Sequence, residues 1–167
     1  QELVQKGLGG FLVRNMESYG ILDTMGLTSR IVLDANIYTM NNRAEAFWMK
    51  KGILGDTVPL ELNAKELVHR NNKNSELTVY GYTPMMVSVQ CVQKTMDHCN
   101  HACVQYVLKD RYQKEFRGVC SCEFCYNTIY NTLPTSLLKE KEKAEKLGVK
   151  AYRLSFTIET QQETEKI

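Results

Sequence analysis

Short apolar runs alternate with amphipathic segments over the first 81 residues of the chain. Each run is brief and contains β-branched residues, which is typical of buried strands rather than of helices. Pro59 lies within one run and makes that strand less regular, because proline has no amide hydrogen to donate. The predicted strands are 10–14, 30–34, 57–62 and 76–80.

The segments between these runs predict helices. Residues 44–51 form an amphipathic segment, and Gly52 is a suitable residue to end it. Asn63 and Glu66 have the spacing of a capping box, so a further helix is expected to begin at Asn63. Residues 16–22 are predicted to form the first helix.

This alternation of strand and helix favours parallel strands joined by crossover helices. A strand recurs about every 20–26 residues, which suits a (β/α)8 barrel, since such barrels use about 250 residues for eight units. A doubly wound open sheet is the alternative. No Gly-x-Gly-x-x-Gly sequence follows a predicted strand, so dinucleotide binding has no support.

The rhythm changes after Gly81, where regular apolar periodicity ends. Residues 106–111 and 115–119 predict a small β-hairpin around 112–114, and residues 128–131 predict a further strand. We therefore predict a single domain of three segments. They are the barrel units at 1–81, a cysteine-rich metal-binding segment at 82–130, and a last helix and strand at 131–167.

In the last of these segments, Pro134 suits the first turn of a helix through 137–147 that ends at Gly148. Residues 152–159 alternate between apolar and polar side chains and predict the final strand. The polar tail from Thr160 is expected to fray.

Composition and charge narrow the possible functions. Of 167 residues, 43% are hydrophobic and 24% are charged, as in ordinary globular proteins. The net charge of +2 is too small to indicate a nucleic-acid or membrane partner by itself. No apolar run approaches the ~20 residues of a membrane span, so we expect no membrane partner and a cytoplasmic protein.

The chain starts without Met, in what resembles the end of a helix, and we expect it to be a fragment of a longer protein.

All six cysteines lie between Cys91 and Cys125. Such a local cluster favours metal ligation over a disulfide scaffold, whose cysteines are usually spread along the chain. Cys122 and Cys125 form a C-x2-C pair, which can present two thiolates from one turn to one metal. Cys91 and Cys99 are the natural second pair, with Cys103 as the alternative. Four thiolates suit either Zn²⁺ or an iron–sulfur cluster, although the wide first spacing is less typical of a zinc ribbon.

Two other uses of this segment have less support. His98 and His101 lie among the cysteines, and we interpret them as loop residues because the thiols alone suffice as ligands. A redox-active disulfide at the C-x2-C pair lacks the preceding βαβ unit and helix N-terminus that lower the pKa of such thiols.

Several motifs resemble the collagenase-like peptidase family (peptidase family U32). The matches run in order over nearly the whole chain, at 33–36, 60–63, 76–88 leading into Cys91, 108–111, 122–131 and 153–159. The resemblance implies the C-terminal part of a TIM-like (β/α)8 barrel with a cysteine-rich insertion and a small β-hairpin. The earlier strands would precede Gln1, so the missing N-terminal half or a homo-oligomer contact would cover the exposed sheet edges.

The family is nominally one of proteases, but neither a Gly-x-Ser-x-Gly nor a His-Glu-x-x-His sequence occurs here. The resemblance implies instead a 4Fe–4S cluster and a role in the hydroxylation of RNA bases or small molecules such as quinone precursors. The expected macromolecular substrate is RNA, or protein if the chain is a peptidase. The ligands carried over from the family are Cys91, Cys99, Cys122 and Cys125, whereas Cys103 and Cys120 are additional. The alternatives are a true hydrolase with a structural four-cysteine zinc site and a non-catalytic, metal-stabilised binding module.

Four polar residues are candidates for catalysis. Asp34 and Asn36 follow the second predicted strand and Glu61 lies near the end of the third, where barrel enzymes place their active sites. Arg111 can bind a carboxylate or phosphate through its planar guanidinium, or it can pair with Asp110 inside the hairpin.

Overall fold

Two units make up the chain in the computed structural model, which describes residues 5–97 and 99–167. The first comprises Gln1–Thr78 and Leu137–Arg153, and the second comprises Val79–Ser136 and Leu154–Ile167. Among the described residues, no helix has both the length and the apolar character needed to cross a membrane.

The first unit is an α/β structure built on a parallel, curled half-barrel sheet, compatible with part of an α/β barrel. The strands β1, β2, β3 and β4 pair in parallel in chain order, and β10 follows β4 in the sheet. This confirms the α/β class and the parallel pairing predicted from the alternation of strands and helices. The strands are β1 (Phe11–Val13), β2 (Ile31–Leu33), β3 (Gly55–Thr57), β4 (Ser75–Gly81) and β10 (Ala151–Ser155).

The first three helices of this unit begin at asparagines whose side chains accept backbone hydrogen bonds. Asn15 accepts from the amide of Ser18 at 2.8 Å, and the predicted capping box of Asn63 with Glu66 is confirmed. These bonds satisfy amides that the first helical turn leaves without partners. The helices are α1 (Met16–Thr24), α2 (Asn42–Lys50), α3 (Ala64–Leu67) and α5 (Lys141–Lys146), with 3-10 turns at Thr28–Arg30, Ala35–Ile37 and Leu138–Glu140.

The apolar core of the first unit lies between one face of the sheet and helices α1 and α2. Tyr19 and Trp48 pack edge to face, with ring centroids 4.8 Å apart. Successive strand residues point to opposite faces, so alternate positions of β1 and β2 supply the rest of this core. The buried cluster is Val13, Tyr19, Ile31, Leu33, Trp48 and Ile53.

The third strand is shorter and earlier than predicted. It spans Gly55–Thr57, whereas residues 58–62 leave the sheet, because Pro59 cannot donate to a ladder of hydrogen bonds. A Cβ atom at Gly55 would collide with the carbonyl oxygen of Asn74, so this strand requires glycine where the neighbouring backbone approaches.

An antiparallel sheet of four strands forms the second unit, in the order β5-β8-β7-β6. The predicted hairpin is confirmed as β6 and β7, and Asp110 Oδ1 closes its turn by accepting from the amides of Tyr112 and Lys114. Strand β5 was not predicted, because its residues lie at a sheet edge and are mostly exposed rather than alternating. The strands are β5 (Pro84–Ser88), β6 (Gln105–Lys109), β7 (Glu115–Ser121) and β8 (Tyr126–Tyr130), and β9 (Thr135–Ser136) pairs with the end of β4.

Two helices complete the second unit, and one of them corrects an expectation. Helix α4 (Val92–Thr95) follows Cys91, and helix α6 (Gln161–Thr164) forms where the tail was expected to fray. Thr160 and Glu163 make a capping box, and Glu163 also pairs with Arg117 at 2.6 and 3.0 Å. These contacts order a polar segment that has too little apolar surface to pack by itself.

The predicted C-terminal helix and strand are both shorter than expected. Residues 137–147 form a 3-10 turn and then α5, which is followed by Gly148 at φ 64°. The last strand, predicted at 152–159, ends at Ser155.

The pairing of Glu163 with Arg117 predicts a dependence of stability on pH. The hydrogen bond from Arg117, followed by the amide of Thr160, lowers the pKa of Glu163 to about 2 from 4.5. Because the folded-state pKa is the lower one, the stabilisation is complete above the unfolded-state value and is lost as the pH falls towards about 2. Glu163→Gln should therefore lower the thermal midpoint at pH 7, and this deficit should shrink at acidic pH.

Glu165→Gln is the matched control, since its carboxylate accepts from Gln161 on the same helix instead. Thermal unfolding at a series of pH values measures both variants. A deficit in Glu163→Gln that stayed constant down to pH 2 would contradict the role of this ion pair.

Candidate functional site

The cysteines gather at one end of the antiparallel sheet in the second unit. Cys91 lies between the end of β5 and the start of α4, while Cys99 and Cys103 precede β6. Cys120 lies in β7 near its end, and the segment 122–125 connects β7 to β8. The pairing of these strands thus brings thiols that are far apart in the sequence to the same end of the sheet.

The C-x2-C pair occupies the tip of the hairpin between β7 and β8. Ser121 pairs with Tyr126 in the ladder, so residues 122–125 are the connecting turn. The amide of Cys125 donates to the carbonyl of Cys122 at 3.4 Å, and Cys125 has a left-handed φ of 52°. Both thiols therefore come from one tight turn, as their spacing predicts.

All six cysteines are free thiols, and three of them donate to oxygen atoms. The acceptors are the Ala102 carbonyl for Cys122 at 2.8 Å, the Cys122 carbonyl for Cys125 at 3.7 Å, and Asn127 Oδ1 for Cys120 at 2.9 Å. Within residues 5–97 and 99–167, no three Cys, His, Asp or Glu side chains are arranged to hold a metal ion. Ligation would require these thiols to lose their protons and rotate away from their acceptors.

The thiols nevertheless lie close enough to influence one another electrostatically. Burial, and then the neighbouring Cys103, Cys91, Cys99 and Cys125, raise the pKa of Cys122. Burial, followed by Cys91 and Cys122, raises the pKa of Cys120. Several thiolates at this edge would repel one another, and a bound cation would remove that repulsion. The donor type, although not the arrangement of the side chains, fits a thiolate-bound metal centre.

A buried pair of polar side chains lies next to the other cysteines at this end of the sheet. Cys120 and Asn127 face each other across β7 and β8, and each is 1% exposed. Asn127 Nδ2 donates to the carbonyl of Gln90 at 2.8 Å, which fixes the residue directly before Cys91. Beside this pair lies a cavity of about 230 Å³, whose lining includes Met86, Val92, Met96, Tyr106 and Ile129.

The first unit carries a separate cluster of alternating charges on the sheet face opposite its core. Asp34 accepts from Arg14 Nε at 2.9 Å and from Arg153 Nη1 at 2.8 Å. Arg153 also contacts Glu76, to which Thr57 donates at 2.7 Å. Asp34 thus has both carboxylate oxygens engaged, and the cluster can orient a polar group rather than offer a free base.

The other candidate catalytic residues do not join this cluster. Asn36 is exposed in the 3-10 turn that follows β2, and Glu61 is exposed in a turn because β3 ends before Pro59. Arg111 lies in the hairpin turn of the second unit, where its guanidinium stacks on Tyr112 at 4.7 Å.

The two histidines of the cysteine segment have different outcomes. His101 is exposed in the loop before β6, where we predicted a loop residue. His98 lies outside the described residues.

Sequence reasoning missed a buried ion pair between Asp56 and Arg70, whose side chains are 4% and 2% exposed. Ser75 Oγ donates to Asp56 Oδ1 at 2.6 Å, and Arg70 Nε donates to the carbonyl of Thr39 at 2.9 Å. The sequence signal that could have revealed this pair is Asp56 itself, a charged residue in β3, which lies beside the apolar strand β2. Arg153 was missed for a similar reason, because its partners lie far away in the sequence.

Removal of one partner of this buried pair should destabilise the first unit strongly. Arg70→Met leaves Asp56 as an uncompensated buried charge, which costs about 3–5 kcal/mol. Arg14→Met is the control, because Arg14 is 62% exposed and a surface pair contributes about 1 kcal/mol or less. Urea denaturation measures both, and an equal loss of unfolding free energy in the two variants would refute this assignment.

Comparison with known proteins leaves the family resemblance as a prediction. No family model, no curated protein and no solved structure matches this chain.

Proposed function

We propose that this chain holds a 4Fe–4S cluster through Cys91, Cys99, Cys122 and Cys125. We propose further that it belongs to the collagenase-like peptidase family and acts in the hydroxylation of RNA bases or of a small molecule. The observation that carries the proposal is the C-x2-C turn with the other cysteines in electrostatic reach of Cys122.

The chain's own residues support a centre of this kind in two ways. The hairpin turn supplies two soft donors from one short segment, and Asn127 donates a hydrogen bond to Gln90, the residue before Cys91. The mutual electrostatic influence of the thiols favours any bound cation that removes their repulsion.

The choice of an iron–sulfur cluster over zinc rests on spacing and on the family resemblance. Zinc ribbons usually have two short knuckles, whereas Cys91 and Cys99 are widely separated. An iron–sulfur cluster, when bound, supplies electron transfer at a potential that the surrounding protein sets.

The charged cluster of the first unit supports a polar or anionic substrate. Arg14 binds Asp34 through Nε and remains 62% exposed, so its guanidinium can also bind a phosphate or carboxylate group. Asp34, which Arg153 also binds, would hold that guanidinium in place, and this arrangement suits an RNA backbone or an acidic small molecule.

We also propose that more barrel strands cover the edge at β1. Strand β1 ends the sheet order, and Leu12 on this strand is half exposed. Additional chain or a second copy would supply these strands and pair with the edge at β1, which no strand of the described residues covers.

Metal analysis tests the cluster. Protein purified without oxygen should be brown and contain about four iron and four sulfide per chain. Cys122→Ser and Cys125→Ser should each lose this iron, because one ligand of the C-x2-C turn is removed. Cys103→Ser is the matched control, an exposed thiol of the same segment that should leave the iron content unchanged.

Full retention of iron in both Cys122→Ser and Cys125→Ser would refute the ligand assignment. A colourless protein with one zinc per chain would instead favour a hydrolase with a structural four-cysteine site. Proteolysis of gelatin that persists in Cys122→Ser would then support the hydrolase.

Mass spectrometry of RNA and quinones tests the proposed reaction. Cells that produce the wild-type chain should contain a hydroxylated product that is missing from cells producing Cys122→Ser. Identical RNA and quinone profiles, with iron bound in the wild type, would contradict the hydroxylation role while leaving the cluster in place.

A further inference from the structure

One face of β7 extends to the end of the sheet at which the cysteines lie. Because side chains alternate along a strand, Gly118 and Cys120 share this face, and Cys122 follows in the turn after β7. Tyr106 on β6 lies opposite Gly118 in the ladder, and therefore points to the same side as the thiols. Tyr106 and Cys120 are then diagonal neighbours, a separation that an aromatic side chain can span.

Gly118 provides the space in which the ring of Tyr106 lies. A Cβ atom at this position would collide with the end of the ring, including its hydroxyl oxygen. The end of the ring therefore lies against the backbone of β7 at Gly118, and its hydroxyl is close to the strand that carries Cys120. Only glycine allows this close approach.

The hydroxyl of Tyr106 is buried and has no hydrogen-bond partner among the residues that the structure describes. Buried hydroxyl groups are nearly always hydrogen-bonded, so one that is not calls for an acceptor. Burial, followed by the nearby Cys120 and Cys91, raises the pKa of Tyr106.

Cys91 is the better of the two nearby acceptors. The Cys120 thiol is paired with Asn127, which leaves it a protonated and weakly accepting sulfur. A sulfur that binds a metal is deprotonated and accepts hydrogen bonds from its surroundings.

We propose that Tyr106 is a positioning residue whose hydroxyl donates a hydrogen bond to the sulfur of Cys91 in the metal-loaded protein, and so raises the reduction potential of the centre. This inference rests on the proposed function, because Cys91 must be a ligand. A hydrogen bond to a ligand sulfur stabilises the extra negative charge of the reduced state, and this is one way in which proteins set the potential of such centres.

The test compares Tyr106→Phe with Tyr112→Phe in the metal-loaded protein. Tyr106→Phe keeps the ring over Gly118 and removes only the hydroxyl. Tyr112 is 68% exposed in the turn at the opposite end of the sheet, so the same change there should have no effect. Iron content and thermal unfolding establish that each variant is folded and loaded, and an anaerobic titration followed by visible spectroscopy gives the potential.

In Tyr106→Phe we expect unchanged iron content and a more negative potential. The ratio of reduced to oxidised centre at a fixed applied potential should fall about tenfold, equivalent to about 59 mV for a one-electron couple. Equal potentials in Tyr106→Phe and wild type, with iron bound in both, would overturn this inference and leave the proposed cluster intact. A wild type without metal would overturn both.

If the wild type contains zinc, the rate of zinc transfer to a chelator replaces the potential as the readout. The lost hydrogen bond should then increase that rate several-fold in Tyr106→Phe and leave it unchanged in Tyr112→Phe. Equal rates in Tyr106→Phe and wild type would overturn the inference.

Discussion

The strict alternation of side chains along short strands is the constraint on which both units depend. Strands β1, β2 and β3 contain three residues each, so each strand contributes only one or two side chains to either face of the sheet. One face of the first unit buries apolar residues against helices α1 and α2. On the other face, Arg153 forms ion pairs with Asp34, which directly follows β2, and with Glu76 of β4. It also donates a hydrogen bond to Thr57 of β3, so one side chain connects the three neighbouring strands.

The same alternation organises the second unit around its cysteines. Strand β7 presents Gly118 and Cys120 on one face, and β6 and β8 place Tyr106 and Asn127 beside them. An aromatic hydroxyl and a carboxamide thus lie close to the ends of the strands where the thiols gather. A small antiparallel sheet can in this way build both a set of soft donors and the polar groups that support them.

Local signals in the sequence predicted much of this architecture. The capping box at Asn63, the hairpin around 112–114 and the C-x2-C turn all depend on residues within a few positions of one another. The failures involve partners that are distant in the sequence. The helix after Thr160 depends on Arg117, and the burial of Asp56 depends on Arg70. Strand β5 has no alternating pattern to detect, since most of its residues are exposed.

The hairpin that carries Cys122 and Cys125 also sets an order of events during folding. A turn between adjacent strands closes within microseconds, because little chain entropy is lost when neighbouring residues meet. Cys91 lies about 30 residues earlier, and it reaches the same edge only after β5 has paired with β8. The hairpin with Cys122 and Cys125 would therefore form first, and the docking of β5 would follow as the slower step that brings Cys91 to the same end of the sheet.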